Sequence, residues 1–242
     1  MLVASKRGGL MEQPGGTGTV ARGGLARIRD SLERRGLGGT LGTVLAGARP
    51  LVLLREEHVW YALDLHGDRP RRPLPPEVEL VRAEASQWPL ASAMDGGPDA
   101  DQIREFSGVG GELWMVLDGG RAAFTCWVFP RVTPAIAARG GWLHLPPSTV
   151  CLENSATSPG HRGRGIAPGA WSAIADGLSG RGVETMITKV AVDNVPSRKA
   201  VSKAGFTEVA VMHLRRLGPR TRIAVSPSGP GLSSYLADTL QR

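Results

Sequence analysis

The sequence predicts an α/β (α+β) fold, because strands and helices alternate along the second half of the chain. Two apolar runs on either side of the turn at 118–120 predict a β-hairpin, since glycines supply the backbone conformations that tight turns need. Residues 166–179 repeat apolar side chains at spacings of four, which is typical of an amphipathic helix that ends at Gly180. Apolar runs at 148–158 and 183–192 enclose that helix and predict a β–α–β unit.

The chain divides into a glycine-rich beginning and a patterned remainder. The predicted segments are a disordered N-terminus at 1–23, an N-terminal α/β extension with its linker at 24–76, the main domain at 77–218, and a C-terminal strand and tail at 219–242. In the extension we expect a helix at 24–36 and one or two strands at 51–65, before a proline-rich linker. These elements would cover the open face of the sheet, or serve as a docking platform, a substrate lid or a dimer contact.

Shorter patterns predict the other elements of the patterned part. In chain order they are a strand at 78–85, short helices near Trp88 and at 101–106, a strand at 140–147, a helix that Asn194 caps and Gly205 ends, strands at 206–217 and 220–226, and a short helix in the tail.

Composition excludes several classes of protein. Cys126 and Cys151 lie in apolar runs, which favours buried thiols in a reducing compartment over a disulfide framework. No His/Cys cluster has metal-ligand spacing, and no apolar run reaches the roughly 18–20 residues of a membrane span. The N-terminus lacks the apolar core of a secretion signal, so we expect a cytoplasmic protein. The net charge of +7 comes mainly from scattered arginines, which argues against a nucleic-acid partner.

The stretch PGHRGRGIA at 159–167 lies between a predicted strand and a predicted helix. A helix N-terminus offers unpaired N–H groups and partial positive charge, and glycine lets an anion approach the backbone closely. The amides of 163–167 can therefore face one pyrophosphate, and the arginine side chains add charge. An ordinary flexible connection is the alternative.

Two motifs in this order resemble the GNAT superfamily of acyl-CoA N-acyltransferases. The first motif consists of Pro159, Arg162, Gly163, Gly165, Ile166 and Ala167. The second consists of Asn194, Ser197, Lys203, Gly205 and Phe206. The resemblance covers about residues 77–218. The chain most resembles a subset of the family that has a tryptophan in the third strand, here Trp127, and an N-terminal extension before the acyltransferase core.

This resemblance implies a mixed central sheet that splays open between its fourth and fifth strands, with acetyl-CoA as the acyl donor in the resulting V. It implies a set of cofactor-binding residues along the V. Ser155, Ala156 and Thr157 would pair with the pantetheine arm, Arg162, Gly163, Arg164, Gly165, Ile166 and Ala167 would bind the pyrophosphate, and Asn194 and Ser197 would contact the arm from the far side. For Asn194, a plain helix N-cap is the alternative.

Amine acylation is helped by a base, because the attacking amine must be neutral. Strand alternation predicts that Cys151, Glu153, Ser155 and Thr157 share one face. Relatives often carry their base near this position, so Glu153 is the predicted base. Alternatively, the Glu153 carboxylate only pairs with an arginine at the edge of the cleft. His144 is a weaker candidate for the base.

The sequence departs from the family at the general acid. Many members carry a tyrosine seven residues after the asparagine of the second motif, where this chain has Val201. Tyr61 and Tyr235 are the only tyrosines, and both fall outside the predicted core. Water, His213 or Ser202 would then protonate the leaving thiolate, or no acid acts.

The predicted function is transfer of the acetyl group of acetyl-CoA to the amine of a small molecule, by direct attack in a ternary complex. One alternative is a longer acyl group, delivered as acyl-CoA or on an acyl carrier protein, whose acidic surface would suit the arginines. Another is a non-catalytic acyl-CoA-binding domain, which the replacement at Val201 favours. The sequence leaves open whether the chain forms a homodimer, and it does not specify the acceptor amine.

Overall fold

The computed structural model describes residues 53–217, 220–227 and 229–240. Within these residues the strands are β1 (Leu53–Asp64), β2 (Val78–Arg82), β3 (Glu112–Asp118), β4 (Arg121–Phe129), β5 (Val132–Pro134), β6 (Trp142–His144), β7 (Thr149–Thr157), β8 (Thr185–Ala191), β9 (Thr207–Leu217) and β10 (Arg220–Pro227). The helices are α1 (Trp88–Ser92), α2 (Ala100–Gly108), α3 (Ile166–Ser179), α4 (Val195–Lys203) and α5 (Leu232–Leu240). The predicted helix at 24–36 and the predicted disorder at 1–23 lie outside the described residues.

The main sheet has eight strands in the order β10-β9-β1-β8-β7-β4-β3-β2, and β5 and β6 form a separate hairpin. Strands β7 and β8 are parallel, whereas the other neighbouring pairs are antiparallel. The parallel register joins Thr149–Leu152 to Thr185–Thr188, after which β7 continues to Thr157 and β8 to Ala191. The predicted α/β class and the mixed, splayed sheet are confirmed.

Strand β1 is an interior strand, which differs from the expectation that this segment covers a face of the sheet. It pairs with β8 on one side and with β9 on the other. Trp60 and Tyr61 are neighbours that point to opposite faces, and both are almost fully buried. A strand buried on both faces needs a continuous apolar run rather than alternation, and the run at 59–63 has this character.

Helices pack on both faces of the sheet. The α3 face is the one that α3 and α4 cover, and the α5 face is the one that α1, α2, α5 and the β5–β6 hairpin cover. The predicted spacing in α3 is confirmed, since Ile166, Ala170, Ile174 and Leu178 are all buried in the α3 face. Burying this stripe of α3 orients its first turn toward the end of the sheet where β7 and β8 part.

The predicted linker after β1 packs against α3 and α4. Arg69 is buried and its Nη2 donates to Asp176 at 2.6 Å, while the backbone N–H of Arg72 donates to the Ser172 hydroxyl at 3.1 Å. A Cβ on Gly169 would lie 2.9 Å from the carbonyl oxygen of Pro73. Only a glycine in α3 therefore allows this close approach.

Gly205 ends α4, as predicted, and it also packs against the linker, which the sequence alone does not show. Its φ is +92°, and a Cβ there would lie 2.8 Å from Pro70 Cδ. Gly205→Ala is therefore expected to lower the free energy of unfolding by about 2 kcal/mol or more, through left-handed backbone strain and collision. Urea denaturation measures this loss.

Gly177→Ala is the matched control, because Gly177 is an exposed helical glycine of α3 whose Cβ would meet open space. Its expected change is a gain of about 0.5–1 kcal/mol from helix propensity. Equal effects of the two substitutions would contradict the assigned role of Gly205.

Candidate active site

The glycines of the first motif shape the turn into α3. Gly163 and Gly165 both have φ of 78°, and a Cβ on either would point into open space. Gly165 is the N-cap of α3, and it has no side chain to bind the first-turn N–H groups. The N–H groups of Ile166 and Ala167 therefore stay available to an outside acceptor, and Pro168 has none to satisfy.

The two arginines of the same turn have different surroundings. Arg162 Nε donates to the carbonyl oxygen of Thr157 at 3.3 Å, which fixes the turn to the end of β7. Arg164 donates to Glu77 at 2.5 Å and to Asp118 at 3.2 Å, and these carboxylates raise the pKa of its guanidinium. The side chain of Arg164 thus lies in a surface ion pair, and its backbone N–H is the group left for a bound anion.

A β-bulge changes the predicted faces of β7. Asn154 has φ of 48°, and the pairing with β4 shifts so that Trp127 opposes Glu153 while Thr125 opposes Ala156. One extra residue in β7 moves every following side chain to the other face.

Ser155 consequently lies on the α3 face, where its hydroxyl accepts a hydrogen bond from Trp171 Nε1 at 3.2 Å. Thr157 lies there too, since it opposes Phe124 of the same face. The prediction that these two residues share a face with Cys151 and Glu153 is wrong, because simple alternation does not include the bulge.

Glu153 and Lys189 form an ion pair at the point where the sheet opens. They are the first residues beyond the last paired row of β7 and β8. The Glu153 residue is only 8% exposed, and Lys189 Nζ also donates to the carbonyl oxygen of Pro134 at 2.8 Å. The same Nζ lies 5.4 Å from the centre of the Trp60 ring. The predicted base is therefore buried and held by a lysine that the sequence analysis did not single out.

Strand β1 adds a polar row to the α5 face that sequence reasoning also missed. Glu56, His58 and Trp60 alternate along the strand, and Glu56 Oε2 lies 3.8 Å from His58 Nδ1. Burial raises the pKa of Glu56, and burial lowers the pKa of His58 to about 4. The alternating pattern of Glu, His and Trp at 56–60 was the available signal, but it indicates a site only when the position of β1 is known.

Asn194 is the N-cap of α4, so the predicted helix cap is confirmed. Its Oδ1 accepts a hydrogen bond from the backbone N–H of Ser197 at 3.2 Å. Val201, at the position of the family's tyrosine, is 2% exposed and packs in the core of the α3 face. A hydrophobic contact thus replaces the polar group that the family pattern would place there.

Tyr61 lies on β1, an interior strand of the main sheet, so the prediction that it falls outside the acyltransferase core is wrong. Its hydroxyl donates to Glu208 at 3.1 Å and accepts from Arg198 Nε at 3.0 Å, and burial raises its pKa. These contacts hold the hydroxyl on the outer side of α4, in a cavity of about 440 Å³ that Ser202 also lines.

The other predicted acid and base candidates are engaged elsewhere. His213 Nδ1 lies 3.3 Å from Glu57, on the exposed part of β9. The side chain of His144 is exposed on β6. The backbone carbonyl oxygen of His144 accepts a hydrogen bond from the Tyr235 hydroxyl at 3.0 Å. Of the candidates that the sequence offered, Glu153 is the one at the opening of the sheet.

A cavity of about 220 Å³ lies on the α5 face beside Trp127. Trp127 opposes Leu113 on one side and Glu153 on the other, so the cavity is one strand away from Glu153. Its lining combines apolar and polar side chains, namely Arg82, Ala83, Glu84, Trp88, Ser107, Gly111, Glu112, Leu113 and Trp127. This composition suits a small molecule that has both apolar and polar parts.

Neither a metal cluster nor a disulfide is found among the described residues. No group of three or more His, Cys, Asp or Glu side chains in that part of the chain could hold a metal ion. Cys126 and Cys151 are free and buried, and burial raises the pKa of both thiols. Within the same residues no helix is long and apolar enough to span a membrane.

Residues 81–206, which are more than half of the chain, match the model of the acetyltransferase (GNAT) family. The chain belongs to the GNAT acetyltransferase family. The activity class of this family is acyl transfer from acyl-CoA to an acceptor, and the prediction of the family is confirmed. The comparison with curated proteins gives no match.

Solved structures of GNAT proteins are similar to this chain at low identity. A GNAT-family acetyltransferase from Novosphingobium aromaticivorans is 19% identical, with a TM-score of 0.48 over 76% of this chain and 71% of that one. A GCN5-related N-acetyltransferase from Sphaerobacter thermophilus is 14% identical, with a TM-score of 0.48 over 74% of this chain and 54% of that one.

A third similar structure, AAC(6')-Iy in complex with the bisubstrate analogue CoA-S-monomethyl-acetylneamine, is 17% identical. Its TM-score is 0.44 over 54% of this chain and 91% of that one. At these identities the likeness concerns the fold alone.

The partly buried His58 should make the stability of this GNAT protein depend on pH. Its pKa is about 4 when folded and about 6.5 when unfolded, so the unfolded chain binds the proton more readily. Stability is therefore expected to fall as the pH drops from 6.5 toward 4, by about 2 kcal/mol between pH 7 and pH 5 from this residue. The raised pKa of Glu56 acts in the opposite direction.

Urea denaturation of the wild type and of His58→Gln over this pH range isolates the contribution of His58. The variant should lack about 2 kcal/mol of the loss on acidification. If the pH profiles of stability of the wild type and the variant run parallel, the pKa of His58 is not lowered in the folded chain. That result would contradict the prediction.

Proposed function

We propose that this GNAT protein transfers the acetyl group of acetyl-CoA to the amine of a small-molecule acceptor, by direct attack in a ternary complex. The observation that carries the proposal is the position of Glu153. It is the first residue of β7 beyond the paired rows, and it lies at the opening of a sheet of the acyltransferase family.

On the donor side, the arm of acetyl-CoA would lie between the diverging ends of β7 and β8. The backbone of Ser155, Ala156 and Thr157 would pair with the pantetheine amides. The pyrophosphate would accept hydrogen bonds from the amides of 163–167, where both left-handed glycines leave open space. Arg162, fixed at the end of β7, would add positive charge.

Asn194 and Ser197 would complete the donor site from α4. The N-cap uses the Oδ1 atom of Asn194, so we assign its Nδ2 group, a hydrogen-bond donor, to the cofactor arm. We assign the Ser197 hydroxyl to the same arm, since Ser197 uses its backbone N–H in the cap.

On the acceptor side, we assign the cavity beside Trp127 to the small amine. The cavity lies on the α5 face with Glu153, across the sheet from α3. An acceptor amine that enters past Trp127 would meet Glu153 and the thioester together. The cavity volume of about 220 Å³ favours a small acceptor over a polypeptide segment.

In the reaction, Glu153 would accept a proton from the acceptor amine, directly or through a water, as the nitrogen attacks the thioester carbonyl. The carbon–sulfur bond then breaks, and CoA leaves as a thiolate. Val201 cannot protonate this thiolate, so we assign the proton to water, because a thiolate is a tolerable leaving group. The free buried thiols fit a reducing compartment, so we propose the cytoplasm as the location.

Gly165→Glu tests the donor site. The substitution places bulk and negative charge where the pyrophosphate would bind, so the affinity for acetyl-CoA is expected to fall by at least about 100-fold. Isothermal titration calorimetry with the purified chain measures it.

Gly182→Glu is the matched control, because Gly182 has φ of 79° against 78° for Gly165 and also faces open space. It introduces the same charge and the same backbone strain away from the turn into α3, so acetyl-CoA should bind within about twofold of the wild type. Unchanged affinity in Gly165→Glu, or equal losses in both variants, would contradict the assigned donor site.

A further inference from the structure

We propose that Lys189 is a self-acylation site: when no acceptor is present, its Nζ takes the acyl group of the bound donor. The inference rests on the proposed function, since it needs the thioester in the V. It adds a second acceptor, which belongs to the protein itself, and a modification of the active site.

Lys189 lies at the point where the sheet opens. Lys189 is the first residue of β8 after the last row that pairs with β7, and Glu153 is its counterpart on β7. A donor arm that enters between the two strands would therefore end beside both side chains. Lys189 is the only one of the three described lysines on this strand, since Lys199 and Lys203 lie on the exposed surface of α4.

Lys189 is also in contact with the proposed base. Lys189 Nζ pairs directly with Glu153 Oε1, so the amine and the group that would deprotonate an amine are already in hydrogen-bond contact. Its second partner, the carbonyl oxygen of Pro134 at 2.8 Å, fixes the nitrogen in place. An acceptor amine would have to reach the same carboxylate by diffusion, whereas Lys189 is held there.

The chemistry balances without a further reactant. Glu153 accepts one proton from the Lys189 ammonium, and the freed lone pair attacks the thioester carbonyl carbon. The carbon–nitrogen bond forms, the carbon–sulfur bond breaks, and CoA leaves as a thiolate that takes up a proton from water. The second proton of the former ammonium is released from the nitrogen, so the products are an amide on Lys189, free CoA and one proton.

Acylation would change the active site in a defined way. The amide carries no charge, so Glu153 would lose its ion-pair partner while it stays buried. The amide nitrogen carries one hydrogen, so it could still donate at most one hydrogen bond, for example to the carbonyl oxygen of Pro134. Loss of the charge would lower turnover with external amines, so the modification limits the enzyme when acceptor is scarce. A true acceptor, in contrast, would intercept the acyl group and protect Lys189.

The test uses acetyl-CoA with the full chain and no added amine. The chain has only four lysines, Lys6, Lys189, Lys199 and Lys203, so peptide mass mapping assigns each acetyl group without ambiguity. Acetylation of Lys189 blocks tryptic cleavage there and yields one peptide that spans 182–198. Lys189 should be acetylated at least about tenfold faster than Lys199 and Lys203, with a rate constant independent of protein concentration.

Glu153→Gln should slow acetylation of Lys189 by about 100-fold, since it removes the base. Its affinity for acetyl-CoA by calorimetry shows that the variant folds and binds the donor. Glu208→Gln is the matched control, because Glu208 also pairs with a cation, Arg198, but on the outer side of α4. It should leave the rate of Lys189 acetylation unchanged.

An unmodified Lys189 in protein that binds acetyl-CoA would overturn self-acylation and leave the proposed function intact. Equal labelling of Lys189, Lys199 and Lys203 would also overturn self-acylation, because it would indicate non-enzymatic acetylation by acetyl-CoA in solution. Failure of acetyl-CoA to bind would overturn both, so the calorimetric measurement separates the two failures.

Discussion

The parallel pairing of β7 with β8 stops after Leu152 and Thr188, and the candidate active site depends on this stop. Beyond it the β-bulge at Asn154 turns the end of β7, while the Glu153–Lys189 ion pair links the two strands at the point of divergence. Removing two charges from water costs free energy that can exceed what their attraction returns, so a buried ion pair is weak evidence for stability. Its position at the opening agrees with the roles proposed for Glu153 and Lys189.

Local sequence patterns predicted the parts of the fold that local physics decides. The glycine turn of the β3–β4 hairpin, the buried stripe of α3 and the glycine that ends α4 are each specified within a few residues. The position of β1 could not be predicted, because its pairing with β8 and β9 joins residues that are far apart in the sequence. The apolar run at 59–63 indicated a buried strand but not its neighbours.

The sequence indicated the positions of candidate residues where the pattern is local, and it missed contacts that depend on the tertiary fold. Glu153 was chosen as the base from the family resemblance and its position in β7, whereas its partner Lys189 is brought to it only by the parallel pairing of β7 with β8. The face of Ser155 was wrong because a bulge at Asn154 is not visible in an alternating pattern. Arg164 was expected to bind phosphate with its side chain, yet two carboxylates from distant segments hold it at the surface.

The central claim is that acetyl-CoA binds between the ends of β7 and β8 and on the first turn of α3. Hydrogen exchange of the intact chain, with and without acetyl-CoA, tests this most directly, since bound backbone N–H groups exchange more slowly. New protection is expected only in the peptides that contain 153–157 and 163–167. Protection of α4 and the cavity around Tyr61 alone, with those two segments unchanged, would contradict it.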